Sequence, residues 1–148
     1  MTDVPICNPQ PVQILDFSRQ FASIRLELLD AIEAVCASQQ FILGPQVASF
    51  EQAAAAACAV PHAIGCASGT DAIWLALAAA NIGPGDAVVT TPFSFFASVS
   101  AILRCGAQPL LADIDPTTFN LSATATEEVL RSHTGAKVKA ILPVHLYG

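Results

Sequence analysis

The sequence predicts an α/β fold: an incomplete parallel sheet with crossover helices. Two observations carry this. From His62 onward, short apolar runs alternate with longer helical stretches, the rhythm of strand, crossover and parallel strand. Turn-forming residues mark the junctions, with Gly83-Pro84-Gly85-Asp86 and Gly106 ending helices before apolar runs.

The elements follow in order. Phe17, Phe21, Ile24, Leu28, Ile32 and Val35 recur at helical spacing with charged residues between them, which predicts an amphipathic helix. Phe41-Ile42-Leu43-Gly44-Pro45 interrupts it, and an alanine-rich helix runs from Gln46 to about Cys58. These helices make an amino-terminal helical segment, residues 1–60, and residues 61–148 carry the sheet. There the pattern predicts a strand at His62–Cys66, a helix at Thr70–Asn81, a strand at Ala87–Thr91, a helix from Phe95 to Leu103 and a strand at Gln108–Ala112. Asp113 to Thr118 reads as a loop, with Asp113 and Asp115 in turn-forming rather than acid/base roles. Thr124-Ala-Thr-Glu127 fits a capping box for a helix reaching His133, and Lys139–Val144 is the last strand. The sequence stops just after that strand, so it is expected to be the amino-terminal portion of a longer protein.

Composition excludes several classes. A net charge of −6 with only six Lys and Arg leaves no basic stripe for nucleic acid. The five cysteines, Cys7, Cys36, Cys58, Cys66 and Cys105, form no CxxC pair, which argues against a disulfide framework or zinc site and for a reducing, cytoplasmic setting. No metal site is expected. The first residues lack a signal-peptide pattern and no apolar run is long enough to span a bilayer, so no membrane partner is expected. A hydrophobic fraction of 53% against 12% charged residues suits a buried sheet and a subunit interface.

Two strand ends carry residues with chemical potential. At Cys66-Ala-Ser68-Gly69-Thr70-Asp71 an apolar run enters a helix through small residues. Gly69 permits close approach of an oxyanion, Thr70 offers a hydroxyl, and the first N–H groups of the helix face the ligand. The same residues also fit an ordinary capping box, Ser68 to Asp71. At Thr90-Thr91-Pro92-Phe93-Ser94-Phe95-Phe96 aromatics cluster at the next strand end, where they can stack on a flat ligand or fill core.

Taken in order, Phe41-Ile-Leu-Gly-Pro-Gln-Val, Ser68-Gly-Thr-Asp-Ala-Ile, Asn81-Ile-Gly-Pro-Gly-Asp, Pro92-Phe-Ser-Phe-Phe-Ala-Ser, Ala112-Asp-Ile-Asp-Pro and Pro143-Val-His-Leu-Tyr-Gly resemble the DegT/DnrJ/StrS group of fold-type I pyridoxal phosphate enzymes. The resemblance covers Val12 to Gly148 and lies in the ordered set. It implies that the chain is part of the large, cofactor-binding domain of a sugar-nucleotide aminotransferase. Gly69, Thr70 and the Asp71 backbone would bind the cofactor phosphate, and Phe95 would stack on the pyridine ring. Phe41, Gly44 and His145 are implied as weaker substrate-side candidates. The implied partners are a nucleotide-linked keto sugar and an amino-acid donor, commonly glutamate, in a homodimer.

The resemblance also implies what is missing. The Schiff-base lysine and the acid that pairs with the pyridine nitrogen fall beyond Gly148 in the family pattern. Lys137 and Lys139 sit at the amino-terminal end of the last strand, away from the strand ends where ligands bind. The 148 residues are therefore expected to be inactive alone. Two other readings stay open: a sugar dehydratase of the same family, with histidine in place of the lysine, and a non-catalytic phosphate-binding or regulatory module.

Overall fold

The computed structural model describes residues 13–146, which leaves Cys7, Val12, Tyr147 and Gly148 outside the described residues. Two compact units divide between Gly65 and Cys66.

The first unit is helical. Helix α1 (Ser18–Ser38) follows the predicted stripe, yet none of its residues is buried, and Phe21, Ile24, Leu28 and Ile32 stay more than two-fifths exposed. It ends at Gln39, whose left-handed backbone (φ 57°) returns its N–H to Val35 and Cys36 carbonyls. Helix α2 (Pro45–Ala57) starts with proline in its first turn, where the missing N–H is not needed. Gly44 precedes it for a steric reason: a Cβ there would lie 2.6 Å from the Gln40 carbonyl oxygen. The strand expected at His62–Cys66 is absent. The sheet of the described residues has three strands, all later in the chain, so this stretch has no ladder partner among the described residues. Gly65 instead donates its N–H to Glu51 Oε1 at 2.7 Å.

The second unit holds helix α3 (Gly69–Ala79), strand β1 (Asp86–Thr90), helix α4 (Ala97–Arg104), strand β2 (Gln108–Leu111), helix α5 (Ala123–Ser132) and strand β3 (Lys137–Ile141). The sheet is parallel with order β2-β1-β3, which bears out the α/β expectation. Ala87, Val88, Val89 and Thr90 are wholly buried, as an unbroken apolar run in a central parallel strand requires. Leu77, Ile82, Val88, Ala101, Ile102 and Ala107 form the core, with Ile73, Trp74 and Cys105 packed against it. Gly106 adopts φ +76° between α4 and β2, a conformation costly for residues with a side chain.

Boundaries differ from expectation by one to three residues, as where the last strand ends at Ile141 rather than Val144, and two of the differences have a clear physical cause. Strand β3 begins at Lys137 rather than Lys139, because its register is set by pairing with Asp86–Val89. Helix α5 is capped by Ser122, whose hydroxyl accepts the Ala125 N–H at 3.2 Å, and not by Thr124, which lies within the helix. Ser122→Ala is therefore expected to cost about 1 kcal/mol of stability, whereas Thr124→Ala should stay within about 0.5 kcal/mol. Urea unfolding of both variants checks this; equal losses would reassign the cap.

From β1 the chain moves to one side for β2, then crosses to the other side for β3. In open α/β sheets ligands bind outside the carboxyl ends of the strands, and here the carboxyl ends of β1 and β3 lie side by side. The two ends are tied together there: Leu142 N–H donates to the Val89 carbonyl at 2.8 Å, and Thr90 Oγ1 donates to the Leu142 carbonyl at 3.0 Å.

Candidate functional site

Residues 91–96 leave the carboxyl end of β1 and carry the aromatic cluster. Thr91 is buried and accepts the Phe93 N–H at 3.1 Å, and Ser94 and Ser98 share a hydroxyl hydrogen bond of 2.9 Å, so local bonds shape the loop before α4. The aromatics then divide by environment. Phe93 stacks on Phe119, with ring centroids 6.1 Å apart. Phe95 is 75% exposed, which leaves its ring open to a ligand in a way that Phe93 is not. His145 follows β3, beyond Leu142, and is exposed.

At the start of α3, Ser68 is the N-cap. Its Oγ accepts the Asp71 N–H at 3.1 Å and donates to Asp71 Oδ2 at 3.0 Å. Ala72 N–H makes the first helical bond, to the Ser68 carbonyl. This leaves the N–H groups of Gly69 and Thr70 without an intramolecular partner among the described residues. The cap engages the third expected donor, Asp71 N–H, so two amides rather than three point outward. A Cβ added at Gly69 would meet nothing within 4 Å, so the space over this glycine is open. Two unpartnered amides at a helix N-terminus, beside a hydroxyl and open space, suit a phosphate.

The Asp71 carboxylate has a partner that sequence reading missed. Arg104, in the last turn of α4, donates to Asp71 Oδ1 at 2.7 Å and lays its guanidinium over the Trp74 ring, 3.8 Å from the centroid. Arg104 first, and then the Ser68 hydroxyl, hold the Asp71 carboxyl below the ordinary carboxylate range. Phe95 and Arg104 thus lie at opposite ends of α4. Thirty-three positions separate Asp71 from Arg104, and no local pattern links them.

Phe41 and Gly44 belong to the helical unit, where Phe41 lines a groove of about 390 Å³ with Ile32, Val35 and Gln46. Lys139 is engaged at the amino-terminal end of β1, with Nζ 2.9 Å from Asp86 Oδ2 and 3.0 Å from the Asn81 carbonyl oxygen. Asp115 accepts the Thr118 and Thr117 N–H groups at 2.8 and 2.9 Å, which lowers its pKa and fits a turn. Among the described residues no three metal-ligating side chains gather, and no helix is long and apolar enough to cross a membrane.

Residues 22–148 match the family described as DegT/DnrJ/EryC1/StrS aminotransferases. Over 93% of its length the chain is 45% identical to a pleiotropic regulatory protein of Geobacillus stearothermophilus, and 40% identical to a UDP-N-acetyl-3-dehydro-alpha-D-glucosamine 3-aminotransferase of Acidithiobacillus ferrooxidans. It spans 36% of each of these relatives. A crystal structure of a DegT DnrJ EryC1 StrS aminotransferase from Brucella abortus superposes with a TM-score of 0.86 at 37% identity, covering 93% of this chain and 38% of that one. The Bacillus subtilis protein NtdA, solved with bound pyridoxamine phosphate, superposes with a TM-score of 0.81 at 31% identity, covering 95% and 32%.

Proposed function

Because this chain belongs to the DegT/DnrJ/EryC1/StrS aminotransferase family, we propose that it is the cofactor-anchoring part of a pyridoxal-phosphate-dependent aminotransferase that acts on a nucleotide-linked keto sugar. The observation that carries this reading is the start of α3, where the Gly69 and Thr70 amides are unpartnered and Gly69 faces open space. A phosphate monoester would be held there by the two amides, the Thr70 hydroxyl and the helix dipole. The exposed Phe95 ring would cover one face of the pyridine by stacking. When bound, the cofactor supplies an electron sink for amino-group chemistry, and the protein supplies binding, orientation and electrostatics. The residues of this chain bind and orient; His145 and Phe41 are proposed on the substrate side, with Gly44 shaping the turn that presents Phe41.

The sugar-nucleotide substrate is supported by the Acidithiobacillus relative, whose name states such a reaction. A second reading has one observation in its favour: the relative at 45% identity is named for regulation. In that case the protein would bind the cofactor without turnover. The two readings separate when the intact protein is given pyridoxal phosphate, glutamate and a UDP- or dTDP-linked keto sugar. Formation of 2-oxoglutarate with an amino sugar supports the enzyme; cofactor binding without either product supports regulation. Thr70→Ala is expected to weaken pyridoxal phosphate binding about tenfold or more, since hydrogen bonds to charged groups contribute about 1.5–3 kcal/mol. Phe95→Ala should weaken it several-fold through lost stacking. Unchanged cofactor affinity in both variants would overturn the placement of the site.

A further inference from the structure

We propose that Arg104 is a positioning residue for the phosphate-holding turn, acting through Asp71; the inference rests on the reading of Gly69 and Thr70 as phosphate ligands. Asp71 places a carboxylate in the first turn of α3, where it favours the helix dipole but opposes an incoming phosphate dianion. Arg104 balances that charge at 2.7 Å. The guanidinium is fixed from a second side by the Trp74 indole, and the next residue, Cys105, lies with its Sγ 3.9 Å from the Trp74 carbonyl oxygen. Its orientation is therefore set by α3 packing, and its charge faces Asp71.

The second effect is directional. With Oδ1 held by Arg104, Asp71 Oδ2 accepts the Ser68 hydroxyl hydrogen, and this turns a Ser68 lone pair toward the Asp71 N–H. The cap is thus satisfied internally, and the Gly69 and Thr70 amides are left facing outward. Without Arg104 the carboxylate is unbalanced beside the phosphate and free to turn toward those two amides, where it would compete with the ligand.

Equilibrium dialysis of pyridoxal phosphate against the intact protein tests this, with pyridoxal, which lacks the phosphate, as the control ligand. Arg104→Ala is expected to weaken pyridoxal phosphate binding about two- to fivefold, the range for a partly exposed charge pair, with no change for pyridoxal and a smaller loss at high salt. Asp71→Asn in the Arg104→Ala background should recover most of that loss, because it removes the unbalanced charge. Should Arg104→Ala fail to fold, Arg104→Gln keeps much of the packing and should show the same loss and the same recovery. Emission of Trp74, the single tryptophan of the sequence, should shift in either variant before any ligand is added. Wild-type affinity in the Arg104 variants overturns the inference, as does a double variant no better than the single one, which would leave Arg104 a packing residue. Either result leaves the phosphate reading standing if Thr70→Ala still weakens binding. A wild-type protein that does not bind pyridoxal phosphate overturns the functional reading itself.

Discussion

Gly69→Glu is expected to lower pyridoxal phosphate affinity about a hundredfold or more, since juxtaposed like charges cost several kcal/mol, while leaving the fold intact. Gly69 is the first helical residue of α3, where a glutamate favours the helix dipole by about 0.3–1 kcal/mol. Nothing within 4 Å of an added Cβ resists the side chain. The substitution is therefore neutral or favourable to the helix and adverse only to an anion on the Gly69 and Thr70 amides. Gly69→Ala separates charge from bulk: it adds one methyl group in the same open space and should cost affinity several-fold at most. Thermal melting beside cofactor titration checks both halves. A glutamate variant that binds the cofactor as tightly as wild type would reduce Ser68–Asp71 to an ordinary helix cap.

The test has this form because the turn can be read in two ways from sequence alone. Ser68 and Asp71 fit a capping box, and Gly69 and Thr70 fit an anion site; the structure shows that the first does not exclude the second. Ser68 caps through the Asp71 amide, which leaves the two preceding amides outward. Local patterns of this kind are legible because they depend on residues a few positions apart. The helices were legible for the same reason, as was β1, whose unbroken apolar run requires burial on both faces.

What was not legible depended on distant partners. His62–Cys66 has the composition of a strand, yet a strand exists only by pairing, and no described segment pairs with it. The start of β3 at Lys137 was set by register against β1. The Ser122 cap was hidden because Thr124 and Glu127 made an equally good local pattern two residues later. Arg104 carried no signal: one arginine near a helix end is usually solvated, and only packing of α3 on α4 brings it to Asp71 and Trp74. Phe95 and Phe93 are alike in sequence; the distinction came from Phe119, whose ring occupies Phe93.

The largest stability effect is expected at Ile102. It is the largest wholly buried side chain among the described residues and shares one core with Leu77, Ile82, Val88 and Ala107. Ile102→Ala should cost about 2–5 kcal/mol, and Ile102→Val about 0.5–1.5 kcal/mol, the difference reflecting the cavity left after partial collapse. Urea unfolding of the intact protein, with unchanged slope between variants, measures both. The consequence extends to the site through α4. This helix follows the loop that presents Phe95 and ends on Arg104, so loosening its seat on β1 displaces the stacking ring and the Asp71 partner together. Cofactor affinity in Ile102→Ala should therefore fall at temperatures well below its melting point, while Ser122→Ala, which weakens only the cap of α5, should leave it unchanged. Equal affinity in the two would mean that the ring and the arginine are held independently of the core beneath them.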